Sequence, residues 1–278
     1  MANVKNNFFI EDFYDYSYTP IARYGWGKPG LSQIENTLEK GLARYEILLR
    51  QFSEYSNDLL SISVHQNPAL PQQPNWVNGF FPGLDALSLY GMIAVFKPET
   101  FLEIGSGNST KFAFAAKQAH SQHTNIVSID PSPRVEIDGI CDNVVRIPLQ
   151  NCDKHLFMEL KPGDILFLDG SHRVLQNSDV TIFFLEIFPL LSPGVIVHIH
   201  DIAWPFDYPD EWAGRMYSEQ YMLGMLLLYA EESIEVLLPV FYISMHQNLM
   251  LLFENIWSAP ELEGIEPRGA SFWFQKKH

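Results

Sequence analysis

F-L-E-I-G-S-G-N-S-T, residues Phe101–Thr110, ends a strand and opens a helix. An apolar run gives way to two glycines and a set of small polar residues, the composition of a tight strand-to-helix turn. Gly105 and Gly107 let the main chain bend sharply and approach a ligand with no Cβ in between. Asn108 or Ser109 can cap the helix that follows. The third position of a G-x-G-x-x-G pattern is occupied by Thr110, which argues against a dinucleotide loop, and no G-x-x-x-x-G-K-[ST] phosphate loop occurs.

Downstream, short apolar runs alternate with helix-length segments: 125–130 (NIVSID), 143–148 (NVVRIP), 164–170 (DILFLDG) and 195–201 (VIVHIHD). Runs of this kind read as parallel strands buried on both faces. Helices are expected over Ser109–Ala119, Cys152–Leu160, Ser178–Leu190 and Ser218–Ala230, and further strands over Ile234–Leu238 and Ala270–Gln275. The expectation is an α/β fold: a doubly wound, mostly parallel, seven-stranded Rossmann-like sheet. Its domain is placed at 100–278. Residues 1–99 read as a helical N-terminal extension, with one long helix from Leu31 to about Leu60 (Ser32 as N-cap, Glu35 completing a capping box) and a second over Leu84–Phe96 that stops before Pro98. Arg23–Gly27 and Trp76–Phe81, aromatic and glycine-rich, are equally suited to an acceptor lid or to anchoring the extension on the sheet.

Composition bounds the function. The 278 residues are 47% hydrophobic, which suits a large core, and 33 Asp+Glu against 18 Lys+Arg give a formal charge of −15. That balance disfavours nucleic-acid backbones and anionic membranes as partners. Cys141 and Cys152 provide neither a disulfide framework nor a C-x-x-C site. The N-terminus lacks the basic-then-apolar layout of an export signal, and the longest apolar stretch, about Tyr221–Ala230, is half a membrane span. A reduced, cytoplasmic protein is expected, and an aromatic-rich extension is compatible with a homodimer.

In a doubly wound sheet ligands lie beyond the carboxyl ends of the strands, and the polar residues of this chain gather there. Asp130 ends the second strand, 25 residues after Gly105, where a carboxylate can accept both hydroxyls of a ribose. Asp169, Gly170, Ser171 and His172 follow the fourth strand; His200 and Asp201 follow the fifth. Two carboxylates and two imidazoles converging at one rim can hold a divalent metal or act as a general base. His198, two residues deeper on the same strand face, reads as a core histidine. Trp204, Phe206, Tyr208 and Trp212 are placed to line an acceptor pocket, with Glu219 or Gln220 facing it, while the acidic runs 207–211 and 261–266 read as solvated surface.

Glu103–Gly107 (E-I-G-S-G) together with Asp130 resembles class I S-adenosylmethionine-dependent methyltransferases. The resemblance implies that Gly105, Ser106 and Gly107 face the methionine part of the cofactor. It implies further that Glu103 orients that loop or the cofactor's amino group, that Asp130 binds the ribose, and that Gln150 and Asn151 contact adenine; Asp169 stands beside the same site. The stretches L-F-L-D-G-S-H, H-I-H-D-I, P-F-D-Y-P-D-E-W and Y-S-E-Q-Y-M-L, with the closing S-F-W, are similar to a bacterial group of natural-product and sugar O-methyltransferases and cephalosporin hydroxylase-like proteins. Metal-dependent members of that group have an acidic residue in place of Ser171 and an Asp-Asp pair in place of His200-Asp201. This chain keeps Asp169 and Asp201 as metal candidates.

The resulting expectation is methyl transfer from S-adenosylmethionine to an oxygen of a small-molecule acceptor, a sugar or secondary metabolite, with His172 or His200 as base. A metal-dependent oxygenase or hydrolase built on His172, His198, His200 and Asp201 is the main rival, though no G-x-S-x-G or H-E-x-x-H occurs. A non-catalytic or NAD-binding Rossmann protein is the third reading, opposed by Thr110 and by the polar rim.

Overall fold

The computed structural model describes residues 20–278; the N-terminal stretch read above for the absence of an export signal lies largely outside the described residues. Seven strands form one sheet: β1 (Thr100–Ile104), β2 (Asn125–Ile129), β3 (Asn143–Val145), β4 (Ile165–Leu168), β5 (Ile196–Ile199), β6 (Ile234–Pro239) and β7 (Phe272–Lys276). Their order is β3-β2-β1-β4-β5-β7-β6, parallel except for β7, which runs antiparallel to both neighbours. The chain order reverses direction between β1 and β4, and a crevice opens there at the carboxyl ends. Register aligns Ile104, Leu168 and Ile199 across β1, β4 and β5. Gly105, Asp169 and His200 therefore leave the sheet side by side. The Asp169 amide donates to Ile104 O at 2.8 Å and the His200 amide to Leu168 O at 3.1 Å.

Every residue of β4 and β5 is buried, which explains their uninterrupted apolar sequences. The helices depart from expectation in detail. The stretch 31–60 is three helices, α1 (Ser32–Glu39), α2 (Leu42–Ser53) and α3 (Ser56–Leu60), broken first at Gly41, a poor helix former. Leu31 is the N-cap and the Ser32 hydroxyl bonds Gln33 instead, so no capping box forms. The next helix, α4 (Gly83–Phe96), ends as expected before Pro98, with Lys97 left-handed at φ 48°. It is buried almost all round and packs on α5 (Asn108–His120), beside β1. The helix expected over 152–160 shrinks to α6 (His155–Met158), and that over 178–190 to α7 (Asp179–Ile182), followed by a wide turn and a 3₁₀ turn. The last helix needed here is α8 (Glu219–Tyr229). Both cysteines are free, and no helix among the described residues is long and apolar enough to cross a membrane.

Candidate active site

At the end of β1 the chain turns through Gly105, whose φ of 80° lies where side chains are strained and whose Cβ, if present, would sit 1.9 Å from Asp169 O. Only glycine fits. Gly107 differs from the expectation for it: its backbone is extended (φ 173°), and an added Cβ would meet only Val135 at 3.9 Å. Its bare main chain leaves room for a ligand instead of fitting a turn. The helix cap also differs. Gly107 takes the cap position and its amide donates to the Thr110 hydroxyl at 3.0 Å. The hydroxyls of Ser109 and Thr110 both donate to the fully buried Glu103. Glu103 thus ties the first turn of α5 to β1 and does not line the cleft. Burial pushes its carboxyl up to about 8, against the pull of the two hydroxyls.

Asp130 lines the cleft and accepts the Ser106 amide at 2.9 Å on one oxygen and the Ser132 amide at 2.7 Å on the other. Each oxygen keeps a lone pair for a ribose hydroxyl. Arg146 fixes this strand end by donating to Ser128 Oγ (3.1 Å) and Asp130 O (3.0 Å). Ser106 and Gln150 line the same cleft; Asn151 does not. Asn151 is the last residue of a 3₁₀ turn and is exposed. The bare loop, the ribose-ready carboxylate and a cleft of about 1300 Å³ fit an adenosine-bearing cofactor.

Across the crevice lies a buried cluster. His172 Nε2 is 3.3 Å from Asp169 and 3.5 Å from Asp201, and its Nδ1 is 2.9 Å from Glu219. His200 Nδ1 is 3.3 Å from Asp169 and 3.6 Å from Asp201, and its Nε2 is 3.1 Å from Asp85. The rim residues are held in unusual backbone: His172 and Asp201 are left-handed at φ 57° and 55°. Burial opposes charge on either imidazole, but the surrounding carboxylates outweigh it and hold both well above the ordinary histidine range. Burial likewise opposes ionisation of Asp169, yet His200 and His172 keep it well below the usual carboxylate range. Glu219 is fully buried and burial pushes it up to about 7; its Oε1 has no hydrogen-bond partner among the described residues.

Asp85, on α4, is the residue the sequence reading missed. Besides His200 it accepts the amides of Ala270 and Ser271 at 2.9 and 2.7 Å. The available signal was one acid inside an otherwise apolar helix (GLDALSLYGMIAVF).

The oxygens of Asp169 and Asp201, the metal candidates, face the ring nitrogens of His172 and His200 at 3.3 to 3.6 Å. Among the described residues no group of three or more His, Cys, Asp or Glu side chains could hold a metal ion. His198, named for the oxygenase reading, does not reach the cluster. It is stacked between Phe167 and Trp273 (centroids 3.8 and 3.7 Å), bonded to Ser271 at 2.7 Å, and kept well below the usual pKa by burial.

On the acceptor side, Phe206 and Trp212 line the cleft, as do Trp26 and the stretch 76–81. Trp204 and Tyr208 do not; Trp204 donates to Gln220 O at 2.7 Å and the Tyr208 hydroxyl accepts the Gln220 amide at 3.1 Å. Gln220 therefore braces this segment internally. The acidic run 207–211 is not simply solvated: Asp207 is buried and accepts the amides of Arg23 (2.6 Å) and Tyr24 (3.2 Å), and Asp210 accepts that of Ala22.

Residues 102–202 match a family model described as a methyltransferase domain. No curated protein matches the chain. Among solved structures, the SAH-bound methyltransferase PaMTH1 of Podospora anserina is 18% identical, covering 88% of this chain and 97% of its own, with a TM-score of 0.43. An O-methyltransferase from Bacillus cereus in complex with SAH is 14% identical (90% and 92% covered, TM-score 0.39). The O-methyltransferase TomG from Streptomyces achromogenes, in complex with SAM, is 12% identical (83% and 90%, TM-score 0.38). Likeness this distant carries no inference about the present residues. The domain match runs from within β1 through β5, the strands that lead into the glycine turn, Asp130 and the Asp/His rim, and this stretch is similar to a methyltransferase domain.

Proposed function

We propose that the enzyme methylates a hydroxyl oxygen of a small molecule, a sugar or secondary metabolite, bound between the glycine turn and the Asp/His cluster. One observation carries the reading: Asp130 and Ser106 line the same continuous cleft as Asp169, His172 and His200. Bound S-adenosylmethionine supplies the electrophilic methyl group. The chain's task is to hold the acceptor oxygen in line with it at near-attack distance, and to take up the hydroxyl proton, because an alcohol is a weak nucleophile near neutrality.

His200 is assigned as the proton acceptor, with His172 as its alternate. Each must first lose a proton, since the carboxylates around it favour the imidazolium. The neutral ring then takes the hydroxyl proton at the nitrogen facing Asp169 and Asp201, and those carboxylates stabilise the imidazolium formed. Asp85 fixes the opposite nitrogen of His200, so it selects the ring orientation. No step is routed through a metal. Gly105, Ser106, Asp130 and Gln150, which line the cleft, are assigned to the cofactor; Gly107 and Asn151 are not among the lining residues. In this reading residues 1–99 form an extension over the domain at 100–278, with Trp26 and Trp76–Phe81 as the acceptor cover, and the protein acts in the cytoplasm.

Calorimetric titration with S-adenosylhomocysteine and with NAD tests the foundation. Micromolar binding of the first and none of the second is expected; the reverse result would end this proposal.

A further inference from the structure

The chain carries a charge of −15, yet its cleft is edged by arginines. Seven Lys or Arg side chains among the described residues form ion pairs, with Glu231, Glu235, Glu46, Asp142, Asp138, Glu186 and Glu99, and none of those seven lines the cleft. Four arginines do line it, Arg134, Arg173, Arg215 and Arg268, and none of them forms an ion pair within 4 Å among the described residues; Arg173 and Arg215 are the two beside the Asp/His cluster. In a protein with nearly twice as many acids as bases, a cleft whose guanidiniums all lack a carboxylate partner is suited to an anion from outside.

The two are also arranged. Arg173 follows His172 directly, and its Nε donates to Arg215 O at 2.8 Å. The Arg215 guanidinium lies 4.3 Å from the Trp212 ring centre and 5.5 Å from that of Tyr217. Tyr217 in turn lies 4.5 Å from the His172 ring, so an aromatic surface runs from the reaction cluster to the arginines. The nearby acids are otherwise engaged: Asp179 accepts the amides of Ser171 and Val180, Asp210 accepts the Ala22 amide, and Asp201 faces the two imidazoles. Glu211 is exposed and forms no ion pair within 4 Å.

We propose that Arg173 and Arg215 bind an anionic group of the acceptor, so that the substrate is a hydroxyl compound carrying a carboxylate or phosphate. Two guanidiniums offer a forked donor set matched to either oxyanion, and Trp212 and Tyr217 offer a flat face for the ring between that group and the hydroxyl. This assignment rests on the methyl-transfer reading above.

The test uses full-length protein loaded with S-adenosylhomocysteine and matched probes: 3,4-dihydroxybenzoate against its methyl ester, and glucose 6-phosphate against glucose. Affinities are measured by calorimetry and turnover with S-adenosylmethionine by product analysis. In at least one pair the anionic member is expected to bind about tenfold or more tightly, the scale of one bidentate charged contact. Which pair does so separates carboxylate from phosphate. The double variant R173Q/R215Q should abolish that preference through KM, leaving S-adenosylhomocysteine affinity unchanged. Equal affinities in both pairs, binding of neither member at millimolar concentration, or a preference that survives the double variant overturns the proposal. Failure of S-adenosylhomocysteine itself to bind would instead bring down the methyl-transfer reading.

Discussion

His198 and His200 stand two residues apart and face the same side of the sheet, where Phe81 contacts both rings (6.5 and 5.2 Å). The deeper ring lies in an aromatic sandwich with one hydroxyl partner; the outer one touches three carboxylates. Their pKa values move in opposite directions, one down through burial, the other up because charge outweighs burial. About two residues of depth separate a structural histidine from a chemical one, and what decides it is whether neighbouring elements deliver carboxylates to that level.

The largest expected effect is on turnover. H200A should lower kcat by about 10²–10⁴-fold, as loss of a proton acceptor does, with S-adenosylhomocysteine affinity unchanged by calorimetry; full activity would erase the distinction between the two rings. H198A should do the opposite. Emptying the sandwich should cost about 2–4 kcal/mol of stability by denaturant titration, with activity retained wherever the variant is folded.

D85N sharpens the comparison by making the rim slightly more like the interior. Asp85 is among the groups that raise His200. Wild-type kcat/KM should rise with pH to an inflection above the usual histidine range, because the base form appears only after the imidazolium deprotonates. In D85N that inflection should move to lower pH; an unmoved profile would remove Asp85 from any role in positioning His200. The smallest effect concerns Glu103. Its folded pKa of about 8 lies above its ordinary value of 4.5, so its stabilising contribution is present below pH 4.5 and is lost as pH climbs to about 8. E103Q lacks that titration, and its melting temperature should gain on wild type as pH goes from 5 to 8.

Much of the sheet was legible because fully buried parallel strands read as continuous apolar runs, and the residues just past β1, β2, β4 and β5 could be placed at one rim by topology alone. Gly105, Asp130, Asp169, His172 and His200 all follow from that rule. What escaped was side-chain partnership. Asp85 sits on α4, 115 residues from His200, and no local pattern links them. Asp207 read as surface because its partners are main-chain amides of residues 23 and 24, invisible in side-chain types. The apolar spacing of 31–60 continues through Gly41, while helix breaking is a backbone property, so three helices stand where the pattern shows one.

Asp85 grips the main chain at Ala270 and Ser271 just before β7 enters the sheet between β5 and β6. A nascent chain emerging from the ribosome therefore holds β1 through β5 long before it can anchor His200. Until Ala270 and Ser271 have emerged, the strands can associate but the imidazole has no Asp85 braced to receive it. Catalytic competence should thus appear late and abruptly during synthesis, after most of the sheet already resists proteolysis.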